Sequence, residues 1–345
     1  MTMTHHNLQT ALVDQFGRTK RKLRISVTDR CNFKCAYCMP EHPTWMKKQD
    51  LLSFEELYQF CAFMVHRGIE SIRITGGEPL MRKGIVHFIE ELQKLKKRGL
   101  KRISMTTNAH YLQKYAFALK QAGLDDINIS LDSLDESQFK TLTQKEIQPV
   151  LDGIAEAQRV GLPIKINTVL IKGINEDQIL PLAEWSIQNN LMLRFIEFMP
   201  LDGNAQWSNQ QVITETSILA TLEQHFTLQT QQGTSSDPAR QYFINHHPIG
   251  IISTISNSFC GSCDRLRLNA KGEFFNCLFA VKGMNLKPYI QGLNTDDPIA
   301  KLQFNQHLND YIWHKKAGFS AIQQEYSHTQ HLLSSRKISM YMIGG

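Results

Sequence analysis

The sequence RCNFKCAYCM at residues 30–39 places Cys31, Cys35 and Cys38 in a C-x3-C-x2-C spacing, directly after the β-rich run LRISVT. We call these three cysteines the amino-terminal set. Three thiolates on one loop can bind a cubane [4Fe-4S] cluster, which needs four ligands, and so leave one iron open to a molecule other than protein. An open metal position can take part in chemistry, whereas a closed site serves structure. A zinc site with its fourth ligand elsewhere in the chain is the alternative interpretation.

Length and composition restrict the class of protein. With 345 residues, of which 42% are hydrophobic, the chain can bury a large core in one large domain or two unequal ones. Its net charge of +6 is compatible with an anionic small molecule and does not by itself indicate nucleic acid. No apolar run approaches the roughly 18 residues of a membrane span. With no apolar signal segment and only seven cysteines, we expect a cytoplasmic protein under reducing conditions rather than a disulfide framework.

Six predicted strands, each separated from the next by a predicted helix, occupy the first 200 residues. The strands are 23–28, 71–75, 102–107, 126–131, 163–170 and 191–198, and the helices lie near 53–67, 85–97, 111–122, 150–160 and 176–189. This alternation predicts a parallel sheet with crossover helices. Polar residues toward the carboxyl ends of the strands favour a barrel, because those ends converge on one mouth. The sequence therefore predicts an α/β fold, an incomplete (β/α)6 TIM-like barrel whose open side is closed by a carboxyl-terminal α+β region.

Three segments are predicted along the chain. Residues 1–20 are polar and lack a sustained period, so we expect a flexible amino-terminal arm. Residues 21–235 form the predicted barrel domain. The link QQGTSSDPAR, residues 231–240, is the best candidate boundary because it is rich in Gly, Ser and Asp. Residues 236–345 form the predicted carboxyl-terminal region.

A second group of three cysteines lies in that last region. Two residues separate Cys260 from Cys263 in FCGSCDRLRL, and Cys277 follows in FFNC on the far side of a predicted hairpin. We call this group the carboxyl-terminal set. A second cluster with an open iron is one interpretation, and a zinc site completed by His246 or His247 is the other.

Two arginines follow the first two of these cysteines directly. Arg265 and Arg267 occupy alternate positions of a predicted strand, so their side chains lie on one face. Any single basic residue is more often a solvated charge. Two guanidinium groups beside an open metal site, however, are suited to binding an anion.

The run Gly76-Gly77-Glu78-Pro79 follows the second predicted strand. Two glycines there permit a close approach that side chains would block, although Gly-Gly before Pro is by itself an ordinary turn. Together with the amino-terminal set, this run resembles the radical S-adenosylmethionine (SAM) superfamily. The resemblance implies that the open iron binds the amino and carboxylate groups of SAM. It also implies that an electron from the cluster breaks the sulfonium bond to give a 5′-deoxyadenosyl radical.

Further motifs narrow the resemblance to the GTP 3′,8-cyclase family of molybdenum cofactor biosynthesis. They are CNFKCAYC, GGEP, RFIEFMP, FCGSCDRLRL with the distal Cys277, and the terminal Gly-Gly, and they extend from about residue 10 to the last residue. The resemblance implies two [4Fe-4S] clusters and SAM as cofactors, and GTP as substrate with its guanine at the second cluster. Removal of hydrogen from C3′ and attack on C8 would give (8S)-3′,8-cyclo-7,8-dihydroguanosine 5′-triphosphate. It further implies a reductant protein such as a flavodoxin or ferredoxin, a downstream cyclic pyranopterin synthase, and allows a homodimer.

The same resemblance assigns site residues, with both cysteine sets as metal ligands. It implies SAM contacts from Tyr37, Gly76, Gly77, Glu78, Ser130 and Met199. It implies GTP contacts from Arg24, Arg73, Thr106, Lys165, Arg194, Arg265 and Arg267, in keeping with the cations that phosphates require. It also implies that Gly344 and Gly345 reach into the pocket and assist catalysis. Two positions depart from the family: Ser71, where it often has Lys at a phosphate contact, and Ala109, where it often has Gly.

Two other functions fit parts of the sequence. A radical SAM maturase that modifies a peptide also carries additional carboxyl-terminal cysteines, usually more than are present here, and the basic residues favour a triphosphate over a peptide. A zinc-stabilised RNA-binding protein would place Arg265 and Arg267 on a ribbon. That function leaves the GGEP run unexplained, and the sequence shows no aromatic residues interleaved on a basic surface.

Overall fold

The computed structural model describes residues 11–201, 206–230, 237–293, 297–327 and 339–344. The strands in these residues are β1 (Lys22–Ser26), β2 (Ser71–Thr75), β3 (Arg102–Thr107), β4 (Asp126–Ser130), β5 (Ile164–Leu170), β6 (Met192–Glu197), β7 (Leu228–Thr230), β8 (Arg240–Ile244), β9 (His247–Ile252), β10 (Arg265–Leu268), β11 (Glu273–Phe275) and β12 (Met284–Asn285). The α-helices are α1 (Phe54–His66), α2 (Ile85–Gln93), α3 (Leu112–Gln121), α4 (Glu136–Thr143), α5 (Gln148–Arg159), α6 (Ile179–Gln188), α7 (Glu215–Glu223), α8 (Lys287–Gly292), α9 (Pro298–Trp313), α10 (Phe319–Ser327) and α11 (Met340–Ile343). Short 3-10 helices lie at Lys48–Asp50, Pro79–Met81, Lys94–Arg98, Glu176–Gln178, Asn209–Gln211 and Cys260–Ser262.

The strands form one sheet in the order β12-β11-β10-β1-β2-β3-β4-β5-β6-β9-β8-β7. Strands β1 to β6 are parallel neighbours in chain order, and the sheet does not close into a barrel. Strand β10 pairs in parallel with β1, and β9 pairs in parallel with β6. The predicted incomplete (β/α)6 TIM-like barrel is therefore confirmed, and strands of the carboxyl-terminal region extend both of its edges.

Burial of both faces explains why these segments form strands. In β2, Ile72 and Ile74 are fully buried, as are Ile127 and Ile129 in β4. Parallel sheets covered by helices on both faces contain such β-branched residues in excess. Helix α1 begins with a capping box in which the Ser53 hydroxyl accepts a hydrogen bond from the Glu56 backbone N–H at 3.1 Å.

Two helices, α4 and α5, connect β4 to β5 where the sequence analysis predicted one. Helix α4 has the polar sequence ESQFKTLT, is only eight residues long and buries Phe139, Leu142 and Thr143, so few apolar residues mark it as a helix. Asp135 caps it, because the Asp135 carboxylate accepts a hydrogen bond from the backbone N–H of Gln138 at 2.7 Å. That cap, followed by apolar residues one and two turns later, is the signal that could have found the helix.

The prediction of a flexible arm is wrong for residues 11–20, whereas residues 1–10 lie outside the described residues. Asp14 and Lys20 are fully buried, and the Lys20 ammonium donates to the Asp14 carboxylate at 2.6 Å. Polar side chains that bond to one another can be buried, so a polar composition alone does not indicate an arm.

The division of the chain near residue 235 stays a prediction, because residues 231–236 lie outside the described residues. Strands from both sides of that point belong to the same sheet, with β9 beside β6 and β10 beside β1. Among the helices of the described ranges, none has both the length and the apolar character needed to cross a membrane.

Candidate active site

A large cavity opens toward the carboxyl-terminal ends of the central strands, and the amino-terminal set lines it. Eleven of the thirteen residues predicted to bind SAM or GTP also line it: Arg24, Tyr37, Arg73, Gly76, Gly77, Thr106, Ser130, Arg194, Met199, Arg265 and Arg267. Glu78 and Lys165 do not. The parallel sheet thus brings side chains from six strands or the loops after them to one cavity.

Helix α4 holds the cysteine loop in place. The backbone N–H of Lys34 donates to the carbonyl of Thr143 at 3.1 Å, and that of Ala36 donates to the carbonyl of Leu142 at 3.1 Å. These carbonyls belong to the last turn of the helix, where they have no intrahelical partner. The helix that the sequence analysis missed is therefore an anchor for the amino-terminal set.

Gly76 and Gly77 are required by the closeness of two backbones. The N–H of Gly77 donates to the carbonyl of Thr28 at 2.6 Å, and the N–H of Glu78 donates to the carbonyl of Arg30 at 2.7 Å. A Cβ atom on Gly77 would lie 2.4 Å from the Arg30 carbonyl oxygen, and one on Gly76 would lie 2.8 Å from the Thr28 carbonyl oxygen. The two glycines therefore lock the loop after β2 against the cysteine loop after β1.

Glu78 lies behind this loop, where it is fully buried. Its carboxylate accepts hydrogen bonds from the N–H of Leu80 at 2.9 Å, the hydroxyl of Thr107 at 2.7 Å and the N–H of Asn108 at 2.8 Å. Burial raises the pKa of Glu78 to about 7, although these three donors lower it. Its carboxylate joins the ends of β2 and β3 rather than facing the cavity.

Ala109 adopts the left-handed backbone conformation, with φ at 61°. This conformation costs an L-residue roughly 1 kcal/mol or more and costs glycine nothing. The N–H of Ala109 donates to the Thr107 hydroxyl at 3.0 Å, which helps to hold the turn. The geometry explains why the family often has glycine at this position.

Asp132 lines the cavity and was not selected from the sequence. The hydroxyl of Tyr37 donates to one oxygen of the Asp132 carboxylate, and the N–H of Val169 donates to the other at 2.8 Å. Burial raises the pKa of Asp132 to about 6, against the lowering effect of those two donors. The sequence did contain a signal for Asp132. It is a carboxylate two residues after Ser130, the predicted SAM contact, and it follows the carboxyl end of β4, where site residues are expected.

Burial dominates the electrostatics of the amino-terminal set. It raises the pKa of Cys31 to about 12 and raises the pKa values of Cys35 and Cys38 as well. The nearby carboxylates of Glu78 and Asp132, and the other thiols of the set, raise them further. The three thiols are close enough to affect one another's pKa values, and three neighbouring cysteines can ligate an iron-sulfur cluster. The raised pKa values oppose this binding, so bound iron would have to supply the positive charge that stabilises the thiolates.

Three arginines stand side by side across the sheet. Arg24 of β1 is in register with Arg267 of β10 on one side and with Arg73 of β2 on the other. Neighbouring strands lie about 5 Å apart, so residues in register share one face at that spacing. We call these three residues the basic row.

The members of the basic row repel one another. Burial lowers the pKa of Arg24, and the charges of Arg267 and Arg73 lower it further. Burial also lowers the pKa of Arg73 to about 10 and that of Arg267 to about 9, with nearby Arg194 and Arg265 adding to these shifts. Arg267 is buried, and Arg24 and Arg73 are partly buried. Like charges at this spacing are unfavourable unless an anion lies among them.

Arg194 extends the positive region on β6. It is almost fully buried and donates from Nε to the side-chain oxygen of Asn167 at 3.0 Å and from Nη2 to that of Asn128. Lys165 of β5 does not line the cavity, but its pKa is lowered, first by burial and then by the charge of Arg194. Lys165 therefore contributes charge from the margin of the positive region.

The carboxyl-terminal set lies next to residues that line the cavity. None of its three cysteines lines the cavity, but their chain neighbours Phe259, Arg265 and Leu278 do. Burial raises the pKa of Cys263, yet the charges of Arg265, Lys315 and Lys20 outweigh it and lower that pKa to about 6. Within the described ranges, no three His, Cys, Asp or Glu side chains are close enough to hold a single metal ion. A thiol surrounded by cations fits an anionic cluster, whose ligands bind separate irons.

The carboxyl-terminal tail, described at residues 339–344, reaches the carboxyl ends of β1 and β2. The carbonyl of Gly344 accepts a hydrogen bond from the guanidinium of Arg267, and φ of Gly344 is 74°. A Cβ atom on Gly344 would lie 2.0 Å from the Thr75 hydroxyl oxygen and 3.4 Å from Ser26 Cβ. Only glycine fits this position, at the ends of β1 and β2. Gly345 lies outside the described residues.

Two family models match the chain. The Radical SAM superfamily matches residues 25–186, and Molybdenum Cofactor Synthesis C matches residues 191–321. The curated GTP 3′,8-cyclase of Streptomyces coelicolor is 40% identical over 89% of this chain and 90% of its own length. That of Staphylococcus epidermidis is 35% identical over 98% of this chain and all of its own length.

Solved structures agree on the fold. Streptococcus suis SuiB bound to its precursor peptide SuiA has a TM-score of 0.59 at 15% identity, over 83% of this chain and 67% of its own. Native anSMEcpe with bound AdoMet and a Cp18Cys peptide has a TM-score of 0.52 at 12% identity, over 92% of this chain and 98% of its own. Since these likenesses show the fold alone, the assignment depends on the sequence relatives. On that basis, this chain belongs to the GTP 3′,8-cyclase family of the radical SAM superfamily.

Proposed function

We propose that the protein is a GTP 3′,8-cyclase, which converts GTP to (8S)-3′,8-cyclo-7,8-dihydroguanosine 5′-triphosphate at the start of molybdenum cofactor biosynthesis. The observation that carries the proposal is that the amino-terminal set and the basic row line the same cavity. A radical-generating cysteine loop and a polyphosphate-binding surface in one cavity are suited to a radical reaction on a nucleoside triphosphate. The names of the curated relatives support this activity.

Membership of the radical SAM superfamily implies one [4Fe-4S] cluster and SAM. When bound, these cofactors supply a radical that can remove a hydrogen atom from the substrate. We assign the amino-terminal set as the ligands of that cluster. For SAM contacts we assign Tyr37, Gly76, Gly77, Ser130 and Met199, with Glu78 acting through the loop that it holds.

For GTP we assign Arg24, Arg73, Thr106, Lys165, Arg194, Arg265 and Arg267. The mutual repulsion within the basic row supports this assignment, because three phosphates would relieve it. Fixed guanidinium groups would also hold the ribose and base at one distance from the radical source. Such positioning accounts for a large share of the rate in bound reactions.

We assign a second [4Fe-4S] cluster to the carboxyl-terminal set. The lowered pKa of Cys263 supports it, since iron binds the thiolate. We also assign Gly344 and Gly345 to catalysis. The bond from Arg267 to the Gly344 carbonyl supports a role of the tail at the substrate site, because the same guanidinium is assigned to GTP.

Further expectations complete this proposal. The reaction needs a protein reductant such as a flavodoxin or ferredoxin, and its product passes to a cyclic pyranopterin synthase. A cytoplasmic, reducing environment suits both clusters. We retain a homodimer, and the division into residues 21–235 and 236–345, as proposals.

Anaerobic reconstitution of the full-length protein, followed by incubation with SAM, GTP and a reductant, tests the function. We expect about eight irons per chain, as two cubanes require, together with 5′-deoxyadenosine and the cyclised nucleotide. Zinc in the carboxyl-terminal set would refute the second cluster. Formation of 5′-deoxyadenosine without any change in GTP would refute the substrate and favour a peptide maturase.

A further inference from the structure

A group of buried charges lies behind the carboxyl-terminal set and does not line the cavity. It consists of Asp14, Arg18, Lys20 and Lys315, which we call the cation clamp. Asp14 and Lys20 are fully buried, Lys315 is 2% exposed and Arg18 is 9% exposed. Burying three cations is costly unless they meet specific partners. The proposed reaction uses none of these four side chains.

Each cation of the clamp donates to a carbonyl at, or directly before, one cysteine of the carboxyl-terminal set. Arg18 Nη1 donates to the carbonyl of Cys260 at 2.7 Å, Lys20 Nζ donates to that of Cys263 at 2.8 Å, and Lys315 Nζ donates to that of Asn276, which precedes Cys277. Hydrogen bonds from charged donors are about twice as strong as neutral ones. The clamp therefore fixes the backbone at all three cysteines.

Asp14 organises the clamp from behind. Its carboxylate accepts hydrogen bonds from Arg18 Nε at 2.7 Å, from Lys20 Nζ at 2.6 Å and from the backbone N–H of Phe16 at 3.0 Å. Arg18 also donates to the carbonyls of Lys316 and Ala317, next to Lys315 in the chain. One carboxylate thus orients two cations and ties the segment before β1 to the chain before α10.

The clamp contains more positive than negative charge. Arg18 and Lys20 share Asp14, and Lys315 takes part in no ion pair among the described ranges. Arg265 adds another cation on the cavity side, over the ring of Phe259 at 4.5 Å. Excess buried positive charge is favourable only beside an anion, and an iron-sulfur cluster held by the carboxyl-terminal set would provide one.

We propose that the cation clamp is a positioning device for the carboxyl-terminal set, which holds its cysteines through their carbonyls and makes a cluster bound there easier to reduce. The inference rests on the proposed function for the presence of an iron-sulfur cluster at this set. Nearby positive charge favours the form that carries one more electron, because net charge around a cluster sets its potential. Removing a cation should therefore lower the reduction potential, and removing the Asp14 charge should raise it.

The test uses the full-length chain with Cys31→Ala, Cys35→Ala and Cys38→Ala, so that iron signals belong to the carboxyl-terminal set. In this background, Lys20→Met and Asp14→Asn are reconstituted anaerobically, and iron content and midpoint potential are measured by titration followed by electron paramagnetic resonance. We expect the potential to shift negative in Lys20→Met and positive in Asp14→Asn. Lys101→Met, which removes an exposed lysine paired with Glu70, is the matched control and should leave the potential unchanged.

The opposite signs distinguish charge from general loosening, which would shift both potentials the same way. No iron in the parent background would refute the second cluster and this inference together. If the parent background binds iron but the midpoint potentials of Lys20→Met and Asp14→Asn do not shift, or shift equally, the inference is overturned while the second cluster stands. If Lys20→Met folds but loses iron, retention of iron in Lys20→Arg supports the inference and loss overturns it. If Lys20→Met does not fold, Lys315→Met replaces it under the same criteria.

Discussion

The two cysteine sets contain the same number of thiols in opposite electrostatic surroundings. In the amino-terminal set, burial and the carboxylates of Glu78 and Asp132 raise the thiol pKa values, to about 12 for Cys31. In the carboxyl-terminal set, cations lower the pKa of Cys263 to about 6 in spite of burial. Ligand number alone therefore does not describe these sites. The surrounding charges decide how readily each set ionises and which cluster charge it favours.

The two sets also differ in position. The amino-terminal set lines the cavity, whereas the carboxyl-terminal set does not, although residues near its cysteines in the chain do. The first position suits a cluster that acts on a bound cofactor. The second suits a cluster that lies close to Arg265 and Arg267, whose side chains line the cavity. The following predictions test this difference, from the largest expected effect to the smallest.

Serine substitutions in the two cysteine sets should separate formation of the radical from cyclisation of the nucleotide. We expect Cys35→Ser to reduce both 5′-deoxyadenosine and cyclised nucleotide to background, because the radical source loses a ligand. We expect Cys260→Ser to retain iron in the amino-terminal set and still lose the cyclised nucleotide. Iron analysis and chromatography of both products provide the measurement. Full cyclisation by Cys260→Ser would remove the carboxyl-terminal set from the mechanism.

Gly344→Ala should displace the tail from the mouth of the sheet. The new Cβ would lie 2.0 Å from the Thr75 hydroxyl oxygen at a φ of 74°, and strain plus overpacking costs roughly 2–6 kcal/mol. Because α11 has only four residues, the tail should detach rather than unfold the protein. We expect cyclisation to fall more than about 100-fold with little change in melting temperature.

Gly161→Ala is the matched control for that substitution. Gly161 has a φ of 69°, and no atom lies within 4 Å of the Cβ position, so it shares the backbone strain without the clash at the site. It should lower the melting temperature slightly and leave turnover unchanged. Equal loss of turnover in both variants would show that backbone strain, not displacement of the tail, is responsible.

Arg73→Met should weaken GTP binding more than it slows chemistry. Loss of one charged hydrogen-bonding partner costs about 1.5–3 kcal/mol, which corresponds to roughly a 10- to 100-fold higher KM. Relief of repulsion within the basic row opposes part of this loss in the free protein. Steady-state kinetics with GTP provide the measurement, and Arg159→Met, which removes an exposed arginine paired with Glu156, is the control. An unchanged KM would exclude Arg73 from the phosphate site.

Local patterns were sufficient to predict the central fold. Strands β2 and β3 begin and end where their alternation with helices placed them, because each is a short β-branched run between clear helix signals. Helix α4 was missed because it has only eight residues and few of them are apolar. The neighbours of β1 and β6 on the outer sides, β10 and β9, come from about 240 and 55 residues further along the chain. Pairing over such separations depends on tertiary packing, which no local pattern contains.

The candidate site was predictable where a motif carried it. The eleven predicted residues that line the cavity lie on six strands of the sheet or in the loops after them, so the order of the strands brings them together. Asp132 was not predicted as a site residue because a single acidic residue after a strand is common in proteins and usually has no role in a binding site. The cation clamp could not be predicted because about 300 residues separate Lys315 from its other members. Only contacts in the folded chain bring them together. Burial of a polar segment is a property of its partners rather than of its composition.

Iron loading of the two sets should depend differently on pH. Binding iron to the amino-terminal set releases three protons, because burial raises the pKa of all three thiols. Above pH 6, Cys263 is already ionised, so the carboxyl-terminal set releases at least one proton fewer. Lowering the pH should therefore weaken iron binding by the amino-terminal set more than iron binding by the carboxyl-terminal set. The ratio of the two iron affinities should change by about tenfold per pH unit. Competition with a chelator between pH 6.5 and about 8.5, on variants that retain one set, measures the ratio.

Ser71→Lys should give the smallest effect, and it tests the edge of the basic row. Ser71 begins β2 two residues before Arg73, so both side chains share a face, and a lysine at position 71 would reach toward the positive region. Since this position is only half-buried, one added charge should stabilise bound GTP by about 0.5–1 kcal/mol, or lower KM about two- to fivefold. The gain should disappear at high salt, because exposed charges are screened. A higher KM would mean that the basic row already supplies all the positive charge that the triphosphate can use. In that case Ser71 avoids additional repulsion among the arginines, and its presence does not represent the loss of a phosphate contact.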